Sequence, residues 1–110
     1  MEISVRVTDH ALVIKPEGEM MLGTEANDFH EAIVNALEKN KKKIVIDLNE
    51  VKFISSWGIG ILMYGYTTTT NSGGEFVLAS VSEMIVETLK KVRLDKLFDR
   101  YASVDDALGK

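Results

Sequence analysis

Two adjacent hydroxyls, Ser55 and Ser56, stand where an apolar run gives way to a glycine-spaced segment. The run has a strand-like core (Ile44, Val45, Ile46, Leu48) and a second apolar pulse (Val51, Phe53, Ile54); the segment after it carries Gly58, Gly60 and Gly65. The pattern places both serines at a helix start. The first turn of a helix presents unpaired N–H groups and the positive end of the macrodipole, so an anion there is stabilised. A phosphate on either serine would suit such a place. A serine at a helix start is also simply an N-cap, worth about 1 kcal/mol, and the local pattern admits both roles.

Other groups with chemical potential are scattered. His10 and His30 have no neighbours at the spacing of a triad or a metal site, and His30 falls on the polar side of its predicted helix. Asp47, Glu50 and Glu19 converge near the strand ends, where open α/β sheets place ligands, yet they come without a base partner or a metal motif. The chain has no phosphate-binding loop, dinucleotide fingerprint, zinc-protease helix or nucleophile elbow. No enzyme activity, metal or cofactor is expected. With no cysteine, disulfides, thiolate metal sites and a cysteine nucleophile are excluded.

The elements that must position these groups follow from periodicity. Ile3, Val5 and Val7 alternate with polar residues in a first strand, and a short Asp9-His10 turn leads to a second, antiparallel strand over 11–16. Thr24 is a plausible N-cap for a helix running to Glu38 or Lys39, with Phe29, Ala32, Ile33, Ala36 and Leu37 on one face. A strand over 43–48, a helix over 57–70 and a strand over 75–79 come next. Ser80 and Glu83 form a capping-box pattern before a helix whose inward stripe is Ile85, Thr88, Leu89 and Val92. A short strand near 97–99 and a helix capped by Ser103 close the chain.

This alternation predicts an α/β domain over residues 1–110, with right-handed crossovers and a mostly parallel sheet of four to five strands. The N-terminal strand is the antiparallel exception, and about four helices accompany the sheet. A length of 110 residues, with 45% apolar and 27% charged, suits a single folded domain. Net charge is −4, which disfavours nucleic acid and anionic membrane surfaces. The basic cluster Lys39, Lys41, Lys42 and Lys43 falls at a helix end, where cations complement the dipole. No membrane-spanning run or signal peptide is visible, so a cytoplasmic protein is expected.

The helix after the serines has two apolar stripes. Ile59, Leu62, Met63 and Tyr66 share the expected core face, whereas Trp57, Ile61, Tyr64 and Thr68 project nearly opposite. One stripe needs the sheet. The other needs either a neighbouring helix or a docking protein, and Trp and Tyr are enriched in protein interfaces.

The corner Ile54-Ser55-Ser56-Trp57-Gly58-Ile59-Gly60 resembles the core motif of the STAS domain, the fold of bacterial anti-sigma factor antagonists of the SpoIIAA type. In that family a strand ends in an Asp-Ser-Ser/Thr-Gly-Leu-Gly corner, whose serine after the Asp is phosphorylated by a kinase that is also the anti-sigma factor. The resemblance sets Ser56 on the phosphorylated position, Ser55 in place of the Asp, and Gly58, Ile59 and Gly60 on Gly-Leu-Gly. Gly18-Glu19-Met20-Met21 resembles the family's Gly-Glu-Leu-Asp turn, and Gly73 to Leu78 its fourth strand. Leu94 to Phe98 and Ser103 to Leu108 match its ending.

The resemblance implies a STAS fold and an anti-sigma factor antagonist in a partner-switching pathway. The implied partners are an ATP-bound serine-kinase anti-sigma factor and a PP2C-type phosphatase, and a monomer suffices. Phosphorylation is expected at Ser56, with Ser55 as the second candidate. The expected partner-contacting residues are Ser55, Ser56, Trp57, Gly58, Ile61 and Tyr64 with Met21 and Thr24. Because Ser55 and Met21 stand where the family carries acids, an interaction or ligand-sensing module that is not phosphorylated is the alternative.

Overall fold

The computed structural model describes residues 2–18, 20–21 and 26–109. Strand β1 (Glu2–Val7) and strand β2 (Ala11–Glu17) form the expected antiparallel hairpin, in unbroken register from Glu2↔Glu17 to Val7↔Leu12. Pro16 lies inside β2, beyond the stretch Ala11–Ile14 that pairs with strand β4 (Lys43–Asp47). Its missing N–H therefore costs the parallel ladder nothing.

Between these strands come the two-residue β3 (Met20–Met21) and helix α1 (Ala26–Glu38). The predicted cap Thr24 and Glu25 lie outside the described residues. After β4 follow β5 (Phe53–Ile54), α2 (Ser56–Asn71), β6 (Glu75–Ala79), α3 (Glu83–Lys91), β7 (Asp99–Tyr101) and α4 (Val104–Ala107). The main sheet has five strands in the order β1-β2-β4-β6-β7, parallel from β2 onward. Strands β3 and β5 form a separate parallel pair.

Leu12, Ile14, Ile44, Ile46, Phe76 and Leu78 point to one face of the sheet and pack with α1, α2 and α3 in the main core. The alternate residues Val13, Val45, Val77 and Ala79 point to the other face, where Ala107 of the short α4 covers them. Strands buried on both faces explain the continuous apolar runs over 11–14 and 44–46.

Several local expectations are corrected. The cap of α3 is Ser82, whose Oγ accepts from Ile85 N at 3.3 Å; Ser80 has a positive φ of 55° and is tied to the last strand, its N donating to Tyr101 O at 3.0 Å. Val92 is the C-cap of α3 and exposed, so it drops out of the inward stripe. Strand β7 starts at Asp99, because Phe98 turns into the core. The lysine cluster pins neighbouring loops: Lys41 Nζ donates to Asp9 O at 2.8 Å, and Lys42 Nζ to Ser72 O at 3.0 Å. Lys43 Nζ lies 3.9 Å from a Glu75 carboxylate oxygen.

Candidate functional site: the serine corner and the outer face of α2

Strand β4 ends at Asp47, whose Oδ1 accepts from Asn49 N at 3.1 Å and so closes a local turn. Leu48 N donates to Ala79 O at 2.9 Å, anchoring the next residue to β6. The chain then rises through β5 to the corner, where the β3–β5 register sets Met21 opposite Ile54, one residue before the serines. Of the three carboxylates expected near the strand ends, Asp47 is used in the turn, Glu50 is exposed and Glu19 lies outside the described residues.

The two serines have different roles. Ser55 is the N-cap of α2: its backbone is extended (φ −86°, ψ 171°), its Oγ accepts from Gly58 N at 3.1 Å, and its carbonyl accepts from Ile59 N at 2.9 Å. Ser56 is the first helical residue and its side chain is exposed. The capping role considered for Ser56 therefore belongs to Ser55. The first turn of α2 carries no acidic residue of its own.

The expected face of α2 is rotated. Its buried residues are Gly58, Ile61, Leu62, Gly65 and Thr69, at the i, i+3, i+4, i+7 and i+11 spacing of a helix face. Ile61 was placed outward with Trp57 and Tyr64; it is only 7% exposed and belongs to the core, so it offers no outer contact. Ile59, Met63 and Tyr66 lie half-buried on the flank, with Tyr66 edge-on to Phe98 at 5.7 Å between ring centroids. The rotation follows from the glycines, which a hydropathy pattern ignores. A Cβ on Gly65 would meet Phe76 Cε2 at 2.8 Å and Ile33 Cδ1 at 3.0 Å, so α2 presents its small residues where it approaches α1 and the sheet most closely.

Two expected outer residues remain outside. Trp57 is 74% exposed and Tyr64 60% exposed, seven positions apart on the same side of α2. The His30 ring of α1 supports Tyr64, with centroids 4.3 Å apart and planes tilted by 51°. His30 is thus half-buried under a tyrosine, with Nδ1 buried and unpartnered among the described residues. Its placement on a solvated polar face is corrected. Gly58 is buried beneath the corner, the side chain of Met21 falls outside what is described, and Thr24 is not described. The site thus gathers Ser55, Ser56, Trp57 and Tyr64 along the first turns of one helix.

Among the described residues no group of three or more His, Asp or Glu side chains could hold a metal ion. No helix among them is long and apolar enough to cross a membrane.

Comparison with known proteins agrees with this geometry. The STAS domain family model matches residues 2–107. The chain belongs to the STAS domain family. Within it, this STAS domain is similar to the anti-sigma-F factor antagonist RsfB of Mycobacterium tuberculosis, 33% identical over 111 residues that cover 96% of this chain and 87% of the relative. It also superimposes on the crystal structure of a putative anti-sigma factor antagonist from Thermotoga maritima, with a TM-score of 0.82 at 23% identity, over 97% of this chain and 92% of that one. Unphosphorylated SpoIIAA shares the fold at a TM-score of 0.78 and 16% identity, covering 99% of this chain and 98% of that one. The STAS fold expected from the serine corner, with its antiparallel first strand and four helices, is the fold of this chain.

Proposed function

We propose that this STAS domain is a cytoplasmic anti-sigma factor antagonist that docks a serine-kinase anti-sigma factor through the outer face of α2 and is released when Ser56 is phosphorylated. The observation that carries the reading is the adjacency of an exposed hydroxyl at the helix start and an exposed indole, Ser56 and Trp57. The names of the relatives as anti-sigma factor antagonists support the choice of partner.

Ser56 is favoured over Ser55 as the acceptor because the Ser55 oxygen already caps the helix. A phosphate on Ser56 lies at the positive end of α2, where its charge is tolerated within its own chain. The partner does not share that tolerance. A phosphoserine brings about −1.5 to −2 charges, and desolvating them in an apolar contact around Trp57 costs several kcal/mol unless the partner supplies cations. At about 1.4 kcal/mol per tenfold in affinity, that converts a stable complex into a dissociated one. A PP2C-type phosphatase then resets the switch.

Incubating the protein with ATP and the serine kinase of its own organism tests this reading by intact mass. One phosphate per chain is expected, and none on Ser56→Ala. Should the wild type take up no phosphate yet form a saturable complex that Trp57→Ala disrupts, the domain is an interaction module without the switch.

A further inference from the structure

Among the described residues, strand β1 ends the five-stranded sheet and only β2 pairs with it. Thr8 N donates to Ala11 O at 2.8 Å, which makes Thr8 and Ala11 a hydrogen-bonded pair of the antiparallel ladder. Such pairs alternate along a ladder, so Arg6 with Val13, Ser4 with Lys15 and Glu2 with Glu17 also exchange their backbone bonds. The N–H and C=O groups of Ile3, Val5 and Val7 consequently face away from the sheet. The strand lacks two of the devices that discourage pairing at an edge: it contains no proline, and its register is unbroken by a bulge.

Its side chains are equally suggestive. Val5 is 50% and Val7 60% exposed on the face that carries the helices, where they line a groove of about 280 Å³ with Leu12, Ala32 and Ala36. On the opposite face the register puts two acidic positions, Glu2 and Glu17, directly across from each other, a like-charge juxtaposition that is unfavourable in a sheet. Ser4 Oγ donates to a Glu17 carboxylate oxygen at 3.3 Å. Arg6 is exposed two positions along the same face.

We propose that the outer edge of β1 pairs with β1 of a second copy of this chain, antiparallel about a two-fold axis at Ser4. In that register Ile3 faces Val5 of the second copy and Val5 faces its Ile3, both as hydrogen-bonded pairs formed by the outward-facing backbone groups. Glu2 faces Arg6 of the second copy, and Arg6 its Glu2, in the non-hydrogen-bonded class where opposed Cα atoms are closest. Each Arg6 thereby reaches the acidic pair of the other chain, which selects this register. A shift that puts Ser4 opposite Arg6 leaves the acids uncompensated. A further shift in the same direction sets Arg6 against Arg6, and the opposite shift puts Ser4 against Glu2, so that Arg6 no longer faces it.

The result is a continuous ten-stranded sheet built from two five-stranded ones, with Ile3 of each copy set beside Val5 of the other at the edge of the β1–α1 groove. Helix α1 packs against both β1 and α2, so the dimer edge and the serine corner lie on either side of it. The pairing therefore stands independently of the phosphorylation reading.

Sedimentation of the purified wild-type chain from about 10 µM to about 1 mM tests the proposal over the range expected of a small interface. Concentration-dependent dimers are expected, and a monomer throughout would overturn the idea. Arg6→Glu should weaken association about tenfold, since each substitution acts twice in a symmetric pair. Adding Glu2→Arg to that variant should restore association to within about threefold of wild type. Val5→Pro removes an N–H that β2 does not use, so the melting curve should persist while the dimer is lost. A dimer insensitive to these substitutions, or a double charge swap that fails to restore it, rejects this edge and register.

Discussion

Ser55 and Ser56 are chemically identical neighbours with separate duties, and the division is set by a single-residue difference in where the helix begins. Ser55 is extended and uses its oxygen to satisfy Gly58 N; Ser56 is already helical and projects outward. Ser55→Ala should therefore lower stability by about 1 kcal/mol, a fall of roughly 4 °C in melting temperature for a domain of this size. Ser55→Asp, which keeps a capping oxygen, should stay within about 0.5 kcal/mol of wild type. Ser56→Ala should be nearly silent in the same melt, because the exposed hydroxyl of Ser56 is not the cap. A melt in which Ser56→Ala is the damaging substitution would reverse the assignment. That a helix begins at this pair is legible in the sequence, from the apolar run before it and the glycines after it. Which serine caps it is not, because periodicity locates a helix end only to within a residue or two. A similar ambiguity, two residues wide at Ser80 and Ser82, is resolved by a tertiary bond to the last strand that the capping motif does not encode.

Helix α2 illustrates what periodicity misses at the scale of an element. Its apolar residues lie all around it, so their pattern has no strong direction, and the buried side is marked instead by Gly58, Gly65 and Thr69. Trp57 and Tyr64 were read correctly as outward because the large apolar side chains opposite them left them no place in the core. The burial of Ile61 is not legible in that pattern because it depends on how closely α1 approaches at Gly65. The two glycines of the helix interior give a paired test. A Cβ on Gly60 has open space within 4 Å, so Gly60→Ala should stabilise the domain by up to about 1 kcal/mol through helix propensity alone. A Cβ on Gly65 meets the side chains of Phe76, Ile33 and Phe29 between 2.8 and 3.2 Å, so Gly65→Ala should destabilise by about 1–3 kcal/mol despite the same propensity gain. Opposite signs in denaturant unfolding are the expected result; equal gains would mean that α2 does not lie as close to α1 and β6 as described.

For the molecule as a whole, the order of strands and helices is legible because the central strands β2, β4 and β6 are short apolar runs bounded by turn residues and each crossover is long enough to hold a helix. The pairing of β3 with β5 was not, since two-residue strands leave no periodic trace, and it is this pairing that brings the Met20–Met21 segment alongside the corner. The assembled fold also predicts how a charge placed at the corner is shared out. Ser56 opens a 16-residue helix with no acidic residue in its first turn, and its side chain is exposed. A phosphate there gains from the helix dipole, about 0.3–1 kcal/mol at low ionic strength, and meets no acidic side chain in its own first turn. The phosphorylated chain should thus melt at the same temperature as the unmodified one or a few degrees higher. The gain should be greatest above pH ~6, where the second phosphate proton is lost, and should shrink with added salt. Trp57→Ala should leave the melt within about 0.5 kcal/mol, because the indole is exposed, while weakening the proposed complex with a serine-kinase partner at least about 30-fold. Phosphorylation should abolish that complex in the same titration. A phosphorylated chain that loses its cooperative melt would mean that release comes from unfolding of the corner, not from an anion displayed on an intact surface.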